Sequence, residues 1–341
     1  MNRSDSANPL NITSQNIAIV VILDEHDEQS SFKASIDSVE CYSKAHGYQF
    51  ILTKDTEWNC GNVENKFSRR HCVISEILQK FEAVLYLNAD IGVVNPERLI
   101  QEFLTEDTDV VFQDDFSSLD LGVDSYLVRN TPFAINLLLD LKNCAQKVLS
   151  NYKETDSGAV LMILAEKLFP WNLMDIEICR RAWANSKSED DKSAYFSCIR
   201  SIFGGSTDFG KVRILRKGTG WTREQWLTSG IWSLKHDFML GGWSMKNLKA
   251  SSEGSQIRRS DSAWYNPFSG GFDVATCGSG NTTWSYDKNL MGKRGSVEHE
   301  LRKYEMRLAL KEIDDFRKIH YLIKNSSFWR IIRFPFYFLF D

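Results

Sequence analysis

An apolar strand runs directly into a polar, acidic end at Ala83-Val-Leu-Tyr-Leu-Asn-Ala-Asp90. Continuous apolar strands are typical of sheets that are covered on both faces, as parallel sheets are. In open α/β sheets, ligands bind outside the carboxyl ends of the strands. Asp90 therefore stands where a binding site is expected, although an aspartate after a strand is also a common turn former.

Strands and helices alternate on both sides of this stretch. Further strands are predicted at 17–23, 48–53, 109–112 and 125–128, and helices at 31–46, 73–78, 132–141 and 156–168. Gly47 supplies a C-terminal stop for the first helix, and Thr131 with Pro132 supplies an N-terminal start for the third. The alternation predicts an α/β fold with a mostly parallel, Rossmann-like sheet flanked by helices.

The chain divides into four predicted segments. Residues 1–15 are expected to be disordered or lost, residues 16–248 to form the α/β domain, residues 249–295 to be a flexible Ser/Gly-rich loop, and residues 296–341 to form an amphipathic helix and an aromatic tail. Within the domain, the sequence beyond Trp171 favours loops and short elements. The tail is interrupted by Arg330, Arg333 and Pro335, which favours docking on the core or on a membrane surface over spanning a bilayer.

Charge and cysteine content narrow the function classes. The 341 residues carry a formal net charge of −4, with basic and acidic residues interspersed, so no basic field exists to hold a long nucleic acid. Seven cysteines without a C-x-x-C pair argue against a structural zinc site. They leave two alternatives, free thiols in the cytosol or one to three bridges in a lumen. No signal peptide or anchor is visible, which predicts a cytosolic protein if the chain is complete.

The residue types at the strand end suit a hard divalent cation. Mg²⁺ and Mn²⁺ take oxygen ligands, commonly one or two carboxylates, and fill the remaining positions with water and substrate phosphates. Asp90 is therefore a candidate to anchor such an ion on a diphosphate.

Several further segments resemble one protein family. They are Val39-Glu-Cys-Tyr42, Lys66-Phe-Ser-Arg-Arg-His-Cys72, Ala89-Asp-Ile-Gly-Val-Val-Asn-Pro96, Ser125-Tyr-Leu-Val-Arg-Asn-Thr-Pro132, Thr155-Asp-Ser-Gly-Ala159, Ala165-Glu-Lys-Leu-Phe-Pro170 and Phe209-Gly-Lys-Val-Arg-Ile-Leu-Arg-Lys-Gly-Thr-Gly-Trp221. Together they resemble the nucleotide-diphospho-sugar transferase-like family long catalogued as a domain of unknown function. That family is itself similar to the Golgi α-galactosyl-, mannosyl- and xylosyltransferases. The resemblance covers about residues 15 to 248.

The resemblance implies a GT-A glycosyltransferase fold and a location in the Golgi lumen. In such a fold Asn88 and Asp90 stand in the first and last places of a DxD-like motif. Asp90 would be the metal ligand, and Asn88 would lie beside the donor ribose or reach the metal through water. Asp156 matches the acidic residue that lies near the donor sugar. Its alternative role is a helix N-cap.

Three basic residues complete the predicted donor site. Arg69 and Arg70 fall where a helix faces the nucleotide, and a guanidinium there can grip a phosphate in a bidentate manner. Lys246 is a candidate for the pyrophosphate. Each of them is equally consistent with an ordinary surface role.

Two positions depart from the family's pattern. Asn88 replaces an aspartate, which keeps an oxygen ligand but removes a charge. Gly241, in Phe238-Met-Leu-Gly-Gly-Trp243, stands where a histidine is expected as a further metal ligand.

Two functions are favoured by these residues, and an intracellular α/β protein of unrelated chemistry is a third possibility. The first is metal-assisted transfer of a hexose from a UDP- or GDP-sugar to a glycan or other hydroxyl acceptor, with retention of configuration. The second is a catalytically impaired member that binds a sugar nucleotide, a glycan or a partner protein without turnover. Asn88 and Gly241 favour the second.

Overall fold

A computed structural model describes residues 12–60, 63, 65–143, 157–249, 263–277 and 284–325. Its helices are α1 (Lys33–His46), α2 (Lys66–Leu78), α3 (Pro132–Lys142), α4 (Ser157–Leu168), α5 (Leu173–Ala184), α6 (Glu189–Phe203) and α7 (Arg294–Asn325). Its strands are β1 (Ile17–Leu23), β2 (Gln49–Lys54), β3 (Ala83–Asn88), β4 (Gly92–Val93), β5 (Val110–Asp114), β6 (Leu121–Arg129), β7 (Val212–Leu215), β8 (Thr222–Glu224), β9 (Met239–Gly241), β10 (Leu248–Lys249) and β11 (Trp264–Tyr265).

The central sheet has six strands in the order β2-β1-β3-β6-β5-β7. Only β6 runs antiparallel to its neighbours, β3 and β5, and the other adjacent pairs are parallel. This confirms the predicted α/β class with a mostly parallel sheet. Because β3 is paired on both sides and covered on both faces, every residue of it except the terminal Asn88 is buried.

The two faces of β3 belong to different cores. Val84 and Tyr86 pack in the core formed with α2 to α6, whereas Leu85 and Leu87 pack in the core formed with α1. Side chains alternate along a strand, so Asn88 at the tip of β3 lies on the α2 side of the sheet.

A second, three-stranded sheet follows the tip of β3. Strand β4 pairs antiparallel with β9, and β9 pairs parallel with β8, where Glu224 lies opposite Gly241. The chain therefore passes from β3 through Asp90 into this small sheet within a few residues. The small sheet supplies the wall next to Asp90.

The prediction of loops and short elements beyond Trp171 is wrong for residues 173–203. That segment forms α5 and α6, which bury Ile176, Trp183, Tyr195, Phe196, Ile199 and Phe203. The helical pattern is hard to recognise in the sequence for two reasons. Two apolar residues at the start of α5, Leu173 and Met174, are exposed, and α6 begins with the acidic run Glu189-Asp-Asp191. Trp183 packs over Gly158, where an added Cβ would lie 2.4 Å from the indole.

Three disulfides join described residues: Cys41–Cys277, Cys60–Cys72 and Cys179–Cys198. They agree with the second of the two cysteine alternatives. Cys144, the seventh cysteine, lies outside the described residues.

The C-terminal part contains the long helix α7. Val297 and Leu301 are buried against Phe116 and Leu227, and Tyr304 makes a ring contact with Trp226. The aromatic tail lies outside the described residues, as do residues 1–11. Among the residues that are described, no helix is both long and apolar enough to cross a bilayer.

The segment 249–295, predicted as a flexible loop, contains packed residues. Trp264, Tyr265 and Phe268 are buried in a core with Trp232 and Trp243. The ranges 250–262 and 278–283 of this segment lie outside the described residues.

Candidate functional site

A tight turn after β3 presents the acidic end of the strand. The Ile91 backbone N–H donates to the Asn88 carbonyl at 3.1 Å, which closes the turn around Asp90. The turn is held from two sides, because the Ser35 hydroxyl of α1 donates to the Ala89 carbonyl and the Trp243 N–H donates to the Asp90 carbonyl. These hydrogen bonds from α1 and from Trp243 therefore fix the backbone position of Asp90.

Gly92, two residues further, allows a tryptophan to close over the turn. An added Cβ at Gly92 would lie 2.0 Å from the Trp243 ring. Trp243 itself stacks on Trp264 at 5.4 Å between ring centroids. The absence of a side chain at Gly92 thus lets the indole support the segment that bonds to Asp90.

The Asp90 carboxyl is half-buried and sits among other acids. Burial and the negative charge of Asp124 raise its pKa to about 6, against hydrogen bonds from the Asn88 side chain and the Gly242 backbone N–H. The structure therefore brings Asn88 and Asp90 together. The proposed roles of these two residues in donor and metal binding remain predictions.

Glu224 is the site residue that sequence reasoning missed. Burial and the charges of Asp90, Asp115 and Asp124 raise the pKa of Glu224 to about 8, and the nearby Arg223 opposes the rise. Its carboxylate lies over the next strand: Oε1 is 2.7 Å from where a Cβ of Gly241 would be. The only sequence signal was a lone glutamate beside an arginine in a Trp-rich segment.

A buried ion pair orients β8 and β9. Arg223 donates to Asp237 from Nε at 2.7 Å and from a terminal nitrogen at 3.0 Å. His236 and the Ser233 N–H also bond to the Asp237 carboxylate. Burial acts to raise the pKa of Asp237, but the charge of Arg223 and the hydrogen bonds from His236 and Arg223 outweigh it and lower the pKa to about 2.

Arg70 is placed beside the same acidic group. It donates to the Tyr86 hydroxyl at 3.1 Å and to Asp124 at 3.0 Å. Asp124 is exposed, whereas the Arg70 side chain is only 8% exposed. Arg70 thereby places a positive charge next to Asp124, at the rim of the site.

The other predicted donor-site residues are Arg69, Lys246 and Asp156. Arg69 bonds to the buried Asp55 at 3.0 Å and to the Val63 carbonyl at 3.1 Å, which commits its guanidinium to the start of α2. Lys246 is exposed on the short 3-10 helix Met245–Asn247, a few residues after Trp243. Asp156 lies outside the described residues, directly before α4, whose first residues are buried.

Three tryptophans of the segment that follows Trp171 are core residues. Trp221, Trp232 and Trp243 are each at most 1% exposed, so a sugar ring cannot reach them. Their large apolar side chains pack the small sheet against the domain.

Together these side chains form a negatively charged group. The negative charge of Asp124 raises the pKa of Asp90, and the charges of Asp90, Asp115 and Asp124 raise the pKa of Glu224. The adjacent Arg223 is already paired with Asp237. A diphosphate approaches such a surface only when a cation bridges the like charges. Within the described ranges, no three His, Cys, Asp or Glu residues come together in a metal-binding group.

Comparison with solved structures finds distant likenesses to glycosyltransferases. One acts in glycosylation of the major capsid of PBCV-1 (18% identity, 46% of this chain and 76% of that one, TM-score 0.37). Another is GlyE of Streptococcus pneumoniae TIGR4 (16% identity, 43% of each chain, TM-score 0.33). A third is the catalytic domain of Drosophila β1,4-galactosyltransferase 7, in complex with xylobiose (10% identity, 59% of this chain and 64% of that one, TM-score 0.26). The chain thus spans less than two thirds of the last two, and likenesses this distant carry no argument about activity.

Sequence comparison is more decisive on the family. No curated protein matches the chain significantly. Residues 39–258, more than half of the chain, match the family described as a protein of unknown function, DUF273. The chain belongs to the DUF273 family.

Proposed function

We propose that this protein transfers a hexose from a nucleoside-diphosphate sugar to a hydroxyl acceptor, assisted by a divalent cation. The observation that carries the proposal is the fixed turn at the carboxyl end of β3, which holds Asn88 and Asp90 beside two further acids, Asp124 and Glu224. Ligand sites of open α/β sheets lie at this edge. The resemblance of the surrounding motifs to nucleotide-sugar transferases supports the same chemistry.

The donor set fits a hard cation. Asp90 supplies a carboxylate and Asn88 an amide oxygen, which are the ligand types of Mg²⁺ and Mn²⁺. A cation held there neutralises the charge of the departing diphosphate. Asp90 would hold it, and Arg70 at the rim would face the phosphates through the region of Asp124.

The remaining donor contacts come from two elements beside the turn. Asp156, before α4, would position the donor sugar, and Lys246, after Trp243, would reach the pyrophosphate. Retention of configuration and a UDP- or GDP-hexose donor are parts of the same proposal, carried by the resemblance. The acceptor is a glycan or another hydroxyl compound.

The three disulfides bear on location. Disulfides form and persist in oxidising compartments and are rare in the cytosol. Cys41–Cys277 and its two companions therefore support a place in the secretory pathway, and we propose the Golgi lumen.

A second function is favoured by two observations, Asn88 in place of an acid and Gly241 without a side chain. A member with a weakened cation site would bind a sugar nucleotide or a glycan without turning it over. The two functions differ in whether the nucleoside diphosphate is released.

A donor panel separates them. The full chain is incubated with UDP- and GDP-hexoses and Mn²⁺, and release of UDP or GDP is followed for the natural protein and for Asp90→Asn. Transfer predicts release by the natural protein and loss of at least about 100-fold in Asp90→Asn, the range for removing one electrostatic contact at a reacting centre. Binding without release of either nucleotide would favour the second function.

A further inference from the structure

The strand opposite Gly241 fills the space that a side chain there would occupy. Glu224 and Gly241 are register partners on the parallel strands β8 and β9. The Glu224 oxygens lie 2.7 Å from a Cβ built on Gly241 and 2.9 Å from one built on Gly242. A histidine at 241 and the present position of Glu224 therefore exclude one another.

The orientation of Glu224 is set by the residue before it. Arg223 is buried and bound to Asp237 on one face of β8. Because successive side chains of a strand point to opposite faces, Glu224 is directed away from this ion pair and toward Asp90. The buried ion pair thus fixes the orientation of β8 and with it the direction of the Glu224 side chain.

Glu224 is half-buried, and its carboxylate has no counter-charge of its own. Over the part of the chain that the structure describes, no side chain or backbone N–H donates to it, and Arg223 already serves Asp237. A half-buried carboxylate that accepts no hydrogen bond from the protein has its oxygens available for a bound ion.

The total charge of the site is also preserved. The pattern expected from the resemblance, two aspartates and a histidine, places a charge of −2 around the ion. The set of Asn88, Asp90 and Glu224 also carries a charge of −2. The negative charge that is missing at Asn88 is supplied at Glu224. Oxygen ligands replace the imidazole nitrogen, which suits Mg²⁺ and Mn²⁺.

We propose that the Glu224 carboxylate is a direct ligand of a divalent cation, shared with Asp90 and Asn88, and that it takes the place left by the missing side chain at Gly241. This assignment rests on the proposed function for the position of the cation at the donor diphosphate. It also accounts for both departures from the family's pattern at once, because the loss of charge at Asn88 is made good at Glu224.

Binding of Mn²⁺ tests the assignment without relying on activity. Free Mn²⁺ is counted by electron paramagnetic resonance while it is titrated into the full chain with UDP present. Glu224→Gln, which keeps the shape and removes the charge, is expected to bind Mn²⁺ at least about tenfold more weakly, since ligand charge sets affinity in such sites. Asp208→Asn removes an equal charge from an aspartate that is 55% exposed and is not part of the site, and it is expected to stay within about threefold.

A paired replacement tests the exclusion of the two side chains. Glu224→Ala combined with Gly241→His restores the expected histidine and removes the clash, so it is expected to recover part of the Mn²⁺ affinity that Glu224→Ala alone loses. Thermal melting of each variant verifies that it is folded.

The outcomes separate this assignment from the proposed function. Equal Mn²⁺ affinity of the natural protein and Glu224→Gln would overturn the role of Glu224 and leave the transferase proposal standing. If the natural protein binds no Mn²⁺, the role of Glu224 is overturned as well. The donor panel then decides the transferase proposal by itself.

Discussion

Replacing Asp237 by asparagine should cost a large share of the protein's stability. Asp237 and Arg223 are 1% and 4% exposed and are joined at 2.7 Å. Removing one partner of a buried pair leaves the other charge uncompensated and typically costs about 3–5 kcal/mol. The pKa of Asp237 gives a second figure: its fall from 3.8 to about 2 corresponds to roughly 2.5 kcal/mol at about 1.4 kcal/mol for each pKa unit.

The pH dependence of this contribution has a definite sign. Because the folded pKa lies below the unfolded one, the stabilisation is fully present above about pH 4 and is lost as the pH falls through about 2. The difference in stability between the natural protein and Asp237→Asn should therefore be constant near neutral pH and shrink in acid.

Urea unfolding with the disulfides intact measures the effect. Asp208→Asn is the matched control, because Asp208 pairs with Arg213 at 3.5 Å and is 55% exposed, so it should cost under about 1 kcal/mol. A loss of less than about 1 kcal/mol in Asp237→Asn would refute the reasoning, since a buried pair would then behave like a surface one.

Three further changes have expected results. Gly92→Ala places a Cβ 2.0 Å from the Trp243 ring and should destabilise by about 1–3 kcal/mol in urea unfolding, whereas Gly205→Ala, with open space around it, should be near neutral. Removing Cys41–Cys277 by serine replacement should cost about 2.5 kcal/mol more than removing Cys60–Cys72, because the sequence separations are 236 and 12 and loop entropy grows with their logarithm; equal losses would contradict this. In chelator, Glu224→Gln should melt at a higher temperature than the natural protein at pH 8 and at a similar one at pH 4.5, because a raised carboxyl pKa costs stability as the pH rises from 4.5 through about 8.

The parts of the fold that the sequence predicts well are those in which neighbours in the chain decide the outcome. The run 17–23 became β1 with the same bounds, and the apolar run ending at Asn88 became the central strand with Asp90 at its tip. Thr131 and Pro132 open α3 as expected, with the Thr131 hydroxyl accepting from the Ala134 N–H. Local patterns of apolar residues and caps were enough for these elements.

The parts that escaped prediction depend on contacts between distant segments. Glu224 joins the site only because β8 pairs with β9 in the register that sets it against Gly241. The direction of β6 within an otherwise parallel sheet is likewise a property of its neighbours β3 and β5. The pairing of Cys41 with Cys277 cannot be deduced from seven cysteine positions.

The roles of the predicted basic residues also depended on tertiary contacts. The sequence alone gives Arg69 and Arg70 the same environment. In the structure Arg69 pairs with the buried Asp55, directly after β2, while Arg70 reaches the rim of the site. Two adjacent helical residues point about 100° apart, so such a division is expected once the helix is docked.

Calorimetric titration of UDP tests the central claim that Asp90 holds a cation against a diphosphate. The natural protein and Asp90→Asn are each titrated with Mn²⁺ present and with Mn²⁺ chelated. The account predicts that Mn²⁺ strengthens UDP binding by at least about tenfold in the natural protein and has little effect in Asp90→Asn. Equal UDP affinity with and without Mn²⁺, or an undiminished effect of Mn²⁺ in Asp90→Asn, would contradict it.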